Sequence, residues 1–107
     1  MTFFPTPLTG SFIVELKAFT DDRGWFARYY CKEEFRAIGH TKEWVQMNHS
    51  FSSKKGTIRG MHYQKEPFGE IKLVRCIAGI VFDVIIDLRR NSPTFLHWFG
   101  AELSAQN

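Results

Sequence analysis

Gly56-Thr57-Ile58-Arg59-Gly60-Met61-His62-Tyr63-Gln64 opens the stretch on which the reading of this chain turns. It continues through Ile71-Lys72-Leu73-Val74-Arg75 to Ile80-Val81-Phe82-Asp83-Val84-Ile85-Ile86-Asp87-Leu88-Arg89. A histidine, a lysine, three arginines and two aspartates stand there among β-branched and aromatic residues. Such residues favour strands. Ionisable groups among them cost free energy unless they are paired or used. Gly56 to Arg89 is therefore where both the fold and the chemistry are sought.

The rest of the chain bounds that search. Its 107 residues predict a single domain over 1–107. A hydrophobic content of 44% excludes a disordered chain, and 11 phenylalanines favour a β-rich fold. The net charge of +3 and pI near 9.0 suit an anionic ligand such as a phosphate. No lysine-arginine cluster marks a nucleic-acid face. The longest apolar run, Ile77 to Ile86, is broken by Gly79 and Asp83, so no membrane span is expected. No basic-then-apolar leader opens the chain. Cys31 and Cys76 fit no metal or redox spacing, which points to two reduced thiols in a cytoplasmic protein.

Working outward, residues 80–89 form one strand and 71–77 another, with Ala78-Gly79 as the hairpin between them. Thr57 to Gln64 is a further strand, and Lys65 to Gly69, holding Pro67, is a loop. Upstream, Trp44 to Ser52 alternates. Gln46, Asn48, Ser50 and Ser52 share one face, and Val45, Met47, His49 and Phe51 the other. The polar face is either solvated or the wall of a ligand cavity in a small barrel. Ser53 to Gly56 is a turn. Cys31 to Ile38 reads as a short helix stopped by Gly39. Asp21-Asp22-Arg23-Gly24 is a turn between a strand at Phe12–Phe19 and an extended Trp25–Tyr30. Pro5 and Pro7 keep Met1–Thr9 from being a central strand. Downstream, Arg90 to Pro93 turns the chain into an extended Thr94–Leu103. Many short strands joined by turns predict an antiparallel sandwich or barrel.

Several residues carry candidate chemistry. His62, whose reference pKa is about 6.5, can accept a proton near neutrality. Gly60 allows close approach beside it, and Arg59 supplies a cation. Lys72 either reaches the polar side of its strand or snorkels to water. Asp83 shares a face with Val81 and Ile85 and needs a partner, for which Lys72 or His62 is expected. Asp87 and Arg89 read as a surface pair. Gly56 and His62 match the opening of the first cupin motif, but its second ligand position holds Gln64, a poor transition-metal ligand. A cupin-like barrel without a metal is the expectation.

Together these motifs resemble the dTDP-4-dehydrorhamnose 3,5-epimerase family. The resemblance rests on Arg59-Gly60-Met61-His62-Tyr63-Gln64, Lys72-Leu73-Val74-Arg75, Asp83-Val84, and Asp87-Leu88-Arg89-Arg90-Asn91-Ser92-Pro93-Thr94. Asp22-Arg23-Gly24 with Phe26, and Gln46-Met47-Asn48-His49-Ser50, extend it in order from about Leu8 to Asn107. It implies an all-β, cupin-like double-stranded β-helix (jelly roll), a homodimer, and neither metal nor organic cofactor. The implied substrate is dTDP-4-dehydro-6-deoxy-D-glucose, epimerised at carbons 3 and 5 on the way to dTDP-L-rhamnose and cell-surface polysaccharide. The carbonyl at carbon 4 acidifies both neighbouring carbons, so a base can remove a proton and return it to the other face. By resemblance His62 is that base, Lys72 stabilises the enolate oxygen, and Asp83 belongs to the catalytic set. Arg59 and Arg23 hold the diphosphate, Arg23 in the neighbouring subunit's site. Gln46, Asn48 and Ser50 contact the nucleotide.

Two departures qualify this. The family places a glutamate where this chain has Arg28, which puts one nucleotide contact in doubt. The resemblance also implies further barrel strands after Asn107, bearing a tyrosine acid and an aspartate that orients the histidine. The expectation is a jelly roll with open edges and exposed core faces. The competing readings are a carbon-3 epimerase or 3,4-ketoisomerase, and a nucleotide-sugar-binding module that does not turn over.

Overall fold

A segment with strand-like alternation becomes a strand only where a second segment supplies its hydrogen bonds, and this rule sorts the expectations. The structure is a computed structural model that describes all residues, 1–107. It contains six strands and one short helix, divided between two compact units. One comprises Met1–Thr41 with Arg75–Asn107, and the other Lys42–Val74.

In the first unit, β1 (Thr2–Pro5) pairs antiparallel with β2 (Phe12–Glu15), Phe3 opposite Val14 and Pro5 opposite Phe12. A proline, which cannot donate to a ladder, is tolerated in such a two-stranded sheet. The connecting loop closes on itself: Thr6 N–H donates to Ser11 O at 3.0 Å and Ser11 Oγ to Leu8 O at 2.8 Å, with Leu8 buried. The single strand expected at Phe12–Phe19 is two. β2 pairs backward onto β1, whereas β3 (Ala18–Asp21) pairs forward onto β4 (Gly24–Ala27), and the chain changes partner at Leu16-Lys17. Asp22-Arg23 form the expected tight turn. The Asp21 carboxylate accepts the Arg23 backbone N–H at 2.9 Å, and Gly24 takes a φ of 132°, where a Cβ would be strained.

Helix α1 (Lys32–Arg36) lies within the expected span and stops before Gly39, whose φ is 80°. Glu33 and Glu34 occupy its first turn and Arg36 its last, which suits the helix dipole. Phe35 is its buried anchor. The ring lies edge-on to Phe3 of β1 at 5.1 Å, and Tyr30 and His40 flank it at 5.1 and 5.9 Å. Glu34 ties down the start of the chain, accepting the terminal amine at 2.8 Å and Arg28 Nη1 at 2.9 Å.

The hairpin expected about Ala78-Gly79 does not form. β5 (Ile80–Ile86) pairs instead with β6 (Trp98–Ser104), Val81 opposite Leu103 and Ile86 opposite Trp98. β5 ends before Asp87, and β6 begins after His97, because the residues between them fold around one carboxylate. Asp87 accepts Arg89 Nε at 2.8 Å, Arg89 Nη2 at 2.9 Å, the Arg89 N–H at 3.0 Å, Thr94 Oγ1 at 2.7 Å and Ser92 Oγ. Its backbone bonds His97 O and the Leu96 N–H. The Asp87 side chain is 1% exposed. The surface pair read from sequence is thus a buried junction, tolerated because every lone pair is satisfied.

The second unit places its turns as expected. Thr57 Oγ1 donates to Lys54 O at 2.7 Å, and Phe68 N–H to Lys65 O at 2.8 Å. The strands expected at Trp44–Ser52, Thr57–Gln64 and Ile71–Ile77 are absent. No segment of these 107 residues pairs with them, and their apolar faces stay open: Val45 is 93% and Ile58 92% exposed. No helix is long and apolar enough to cross a membrane.

Candidate functional site

Six of the eight residues singled out from the sequence, Gln46, Asn48, Ser50, Arg59, His62 and Lys72, fall in the Lys42–Val74 unit, and all six are exposed. Arg59 is held across the Ser53–Gly56 turn. Its Nε donates to Ser52 Oγ at 3.1 Å and its Nη2 to Phe51 O at 2.9 Å. Those bonds use one edge of the guanidinium, leaving Nη1 and the second Nη2 hydrogen as an outward fork. Gly60 follows at a φ of 118°, a conformation that disfavours any side chain. An added Cβ there would lie 3.8 Å from His62 Nδ1, ordinary contact, so the backbone angle rather than crowding by the imidazole calls for glycine.

Lys72 pairs with Glu70, Nζ to Oε1 at 2.9 Å, both side chains about half exposed. Glu70 was not singled out from the sequence. The signal was available, since residues two apart in an extended segment share a face. Ser52 was noted only as the end of a polar face, and its partner across the turn was not legible from alternation.

The other two residues belong to the first unit. Arg23 sits at the tip of the β3–β4 hairpin with its guanidinium on Asp21. That hydrogen bond lowers the Asp21 carboxyl below its usual range and raises Arg23. Phe19, Asp21, Arg23, Gly24, Trp25 and Phe26 line a shallow cavity of about 220 Å³ there. Asp83 is half-buried in β5 opposite Ala101. It shares a sheet face with Val81 and Ile85, as the alternation predicts.

Arg28, which stands where the resemblance leads one to expect glutamate, is engaged within the chain. Its guanidinium donates to Glu34 and is raised chiefly by that bond. Glu34 is held below the usual carboxylate range, first by the terminal amine and then by Arg28. A second cavity, of about 300 Å³, is lined by Thr9, Arg89, Asn91, Ser92 and Pro93. Neither cavity takes a wall from residues 42–74. No three His, Cys, Asp or Glu side chains converge as a metal-binding group. What the 42–74 unit displays is an imidazole, an ammonium, a fixed guanidinium fork and the exposed polar side chains of Gln46, Asn48 and Ser50. That set suits an anionic, oxygen-rich ligand with a proton to be moved.

Comparison with known proteins gives these features a context. Residues 5–107 match the model of a family described as dTDP-4-dehydrorhamnose 3,5-epimerase. A Shigella flexneri protein of that name is 47% identical over 108 residues, covering 100% of this chain and 59% of its own. The Salmonella typhimurium protein is 44% identical, with 100% and 58% covered. Among solved structures, a Bacillus anthracis enzyme of the same name, with TDP and PPi bound, superposes with a TM-score of 0.94 at 43% identity. The alignment covers 99% of this chain and 61% of that one. A Legionella pneumophila 3,5-epimerase in complex with dTDP-4-keto-L-rhamnose gives 0.87 at 40% identity, covering 99% and 56%. The chain therefore spans somewhat over half the length of these relatives. Over that length its fold is the expected all-β, cupin-like jelly-roll one.

Proposed function

We infer the activity of this chain from its membership of the dTDP-4-dehydrorhamnose 3,5-epimerase family, to which it belongs. The substrate is dTDP-4-dehydro-6-deoxy-D-glucose, and the reaction inverts carbons 3 and 5 on the way to dTDP-L-rhamnose. His62 removes the proton made acidic by the carbonyl at carbon 4. Lys72 neutralises charge on the enolate oxygen, where a fixed cation lowers the barrier directly. Reprotonation on the opposite face completes each inversion. Arg59 and Arg23 bind the diphosphate, and Gln46, Asn48 and Ser50 contact the nucleotide. Asp83, on β5, joins the catalytic set by resemblance to the family. The working form is a cytoplasmic homodimer in which Arg23 serves the neighbouring site.

The observation that carries this reading is the grouping of Arg59, His62 and Lys72, exposed, on one short unit of a chain matched by the family from residue 5 to 107. Ligands named for the relatives, TDP with PPi and dTDP-4-keto-L-rhamnose, support a dTDP-sugar as the substrate class. The test is solvent deuterium exchange into dTDP-4-dehydro-6-deoxy-D-glucose, followed by NMR at carbons 3 and 5. Exchange at both carbons is expected, and its loss in His62→Ala. Exchange at carbon 3 alone identifies a single-site epimerase. Binding of dTDP with no exchange at either carbon identifies a nucleotide-sugar-binding module and overturns the catalytic reading.

A further inference from the structure

We propose that Ser52 is a positioning residue for diphosphate recognition, acting through Arg59. This rests on the proposed role of Arg59 as a diphosphate ligand. A free arginine side chain samples many rotamers and presents either edge of its guanidinium. Here the Nε edge is consumed, by Ser52 Oγ at 3.1 Å and the Phe51 carbonyl at 2.9 Å. Both acceptors lie on the far side of the Ser53–Gly56 turn, which Gly56 closes at a φ of 78° and Thr57 braces through Lys54 O. The guanidinium is thereby fixed to the turn rather than to its own backbone neighbours. It retains three N–H groups, two of which form the end-on fork across Nη1 and Nη2.

That fork matches two oxygens of a phosphate, and because the edge is chosen before the ligand arrives, less rotamer freedom is lost on binding. Of the two acceptors, only Ser52 is a side chain and hence open to substitution. By alternation Ser52 shares a polar face with Gln46, Asn48 and Ser50, of which only those three are implied as nucleotide contacts. The structure separates them: Ser52 faces Arg59, and its hydroxyl oxygen is spent as an acceptor.

The test uses the full chain, with inorganic pyrophosphate, dTDP and thymidine as probes, titrated by NMR. Ser52→Ala is expected to weaken pyrophosphate and dTDP by about three- to tenfold, the size of one solvent-exposed hydrogen bond. Thymidine, which has no phosphate, should be unaffected, and Ser52→Thr should restore affinity. A collapse of the local fold would weaken thymidine as well, and that pattern would overturn the positioning role. So would unchanged pyrophosphate affinity in Ser52→Ala while Arg59→Ala loses it. If Arg59→Ala itself leaves pyrophosphate and dTDP affinity unchanged, the diphosphate reading fails and the positioning role fails with it. The Arg59 Nε–H resonance separates the two failures. Its solvent exchange should quicken in Ser52→Ala whether or not any ligand binds, and unchanged exchange would show that the hydrogen bond itself is absent.

Discussion

His62 and Asp87 are both ionisable, and their surroundings differ. His62 is exposed on the 42–74 unit, and the proposed function makes it the general base. A positioned general base typically contributes about 10²–10⁴-fold. His62→Ala should therefore slow exchange at carbons 3 and 5 by that range, read as the rate of deuterium loss or gain by NMR. Asp87 is buried and spends all its acceptor capacity on Arg89, Ser92 and Thr94. The Arg89 guanidinium, and next the Ser92 hydroxyl, hold its carboxyl far below the usual range. A depressed carboxyl stabilises the fold wherever the unfolded chain is already ionised, above about pH 3.9. That stabilisation is lost as the pH falls from there toward the folded-state value. Thermal melts should show the wild type losing stability steeply below pH 4. Asp87→Asn should melt several degrees lower at neutral pH and show a shallower acid loss. An unchanged acid slope in the variant would remove Asp87 from the account.

At the scale of elements, pairing rather than pattern separates the strands that form from those that do not. β5 and β6 share a seven-residue register, and the ring of Phe82 covers the bare backbone of Gly100, where an added Cβ would come within 2.5 Å of its Cζ. Residues 44–52 alternate and 57–64 were expected as a strand, but neither has a ladder. Backbone amides without ladder partners open at little cost, whereas paired ones exchange only when the sheet opens. Amide hydrogen exchange should therefore divide the chain. Protection is expected for alternate amides of β5 and β6, and exchange near the unprotected rate over most of residues 42–74. Slow exchange at Gln46 to Ser52 would mean that this segment is paired in solution.

For the whole molecule, the decisive quantity is surface. The chain exposes 9464 Å². Only Leu8, Phe35 and Cys76 among the apolar residues are buried, while Phe19, Trp25, Phe26, Phe82 and Trp98 are each more than half exposed. Apolar area on that scale drives association. Sedimentation should show concentration-dependent species larger than 12.5 kDa. A single monomer peak across a tenfold range of concentration would contradict it.

The sequence by itself determined what is local. Its turn residues set the breaks at Asp21–Gly24, Ser53–Gly56 and Lys65–Gly69, and Gly39 set the end of α1. Its alternation fixed that Asp83 lies with Val81 and Ile85. Its motifs indicated the family, and the roles proposed for Arg59, His62 and Lys72 follow from that likeness. Those signals travel over a few residues, where backbone sterics and side-chain periodicity act directly. Tertiary structure alone decided that β5 pairs with β6 rather than with the preceding segment, that Phe12–Phe19 divides between two partners, and that three expected strands remain unpaired. It also turned Asp87 from a surface ion pair into a buried junction, and it joined Ser52 to Arg59 across a turn. Each of these depends on which distant group supplies the second half of a hydrogen bond. A linear pattern states that a donor or acceptor exists, and only the folded chain selects its partner.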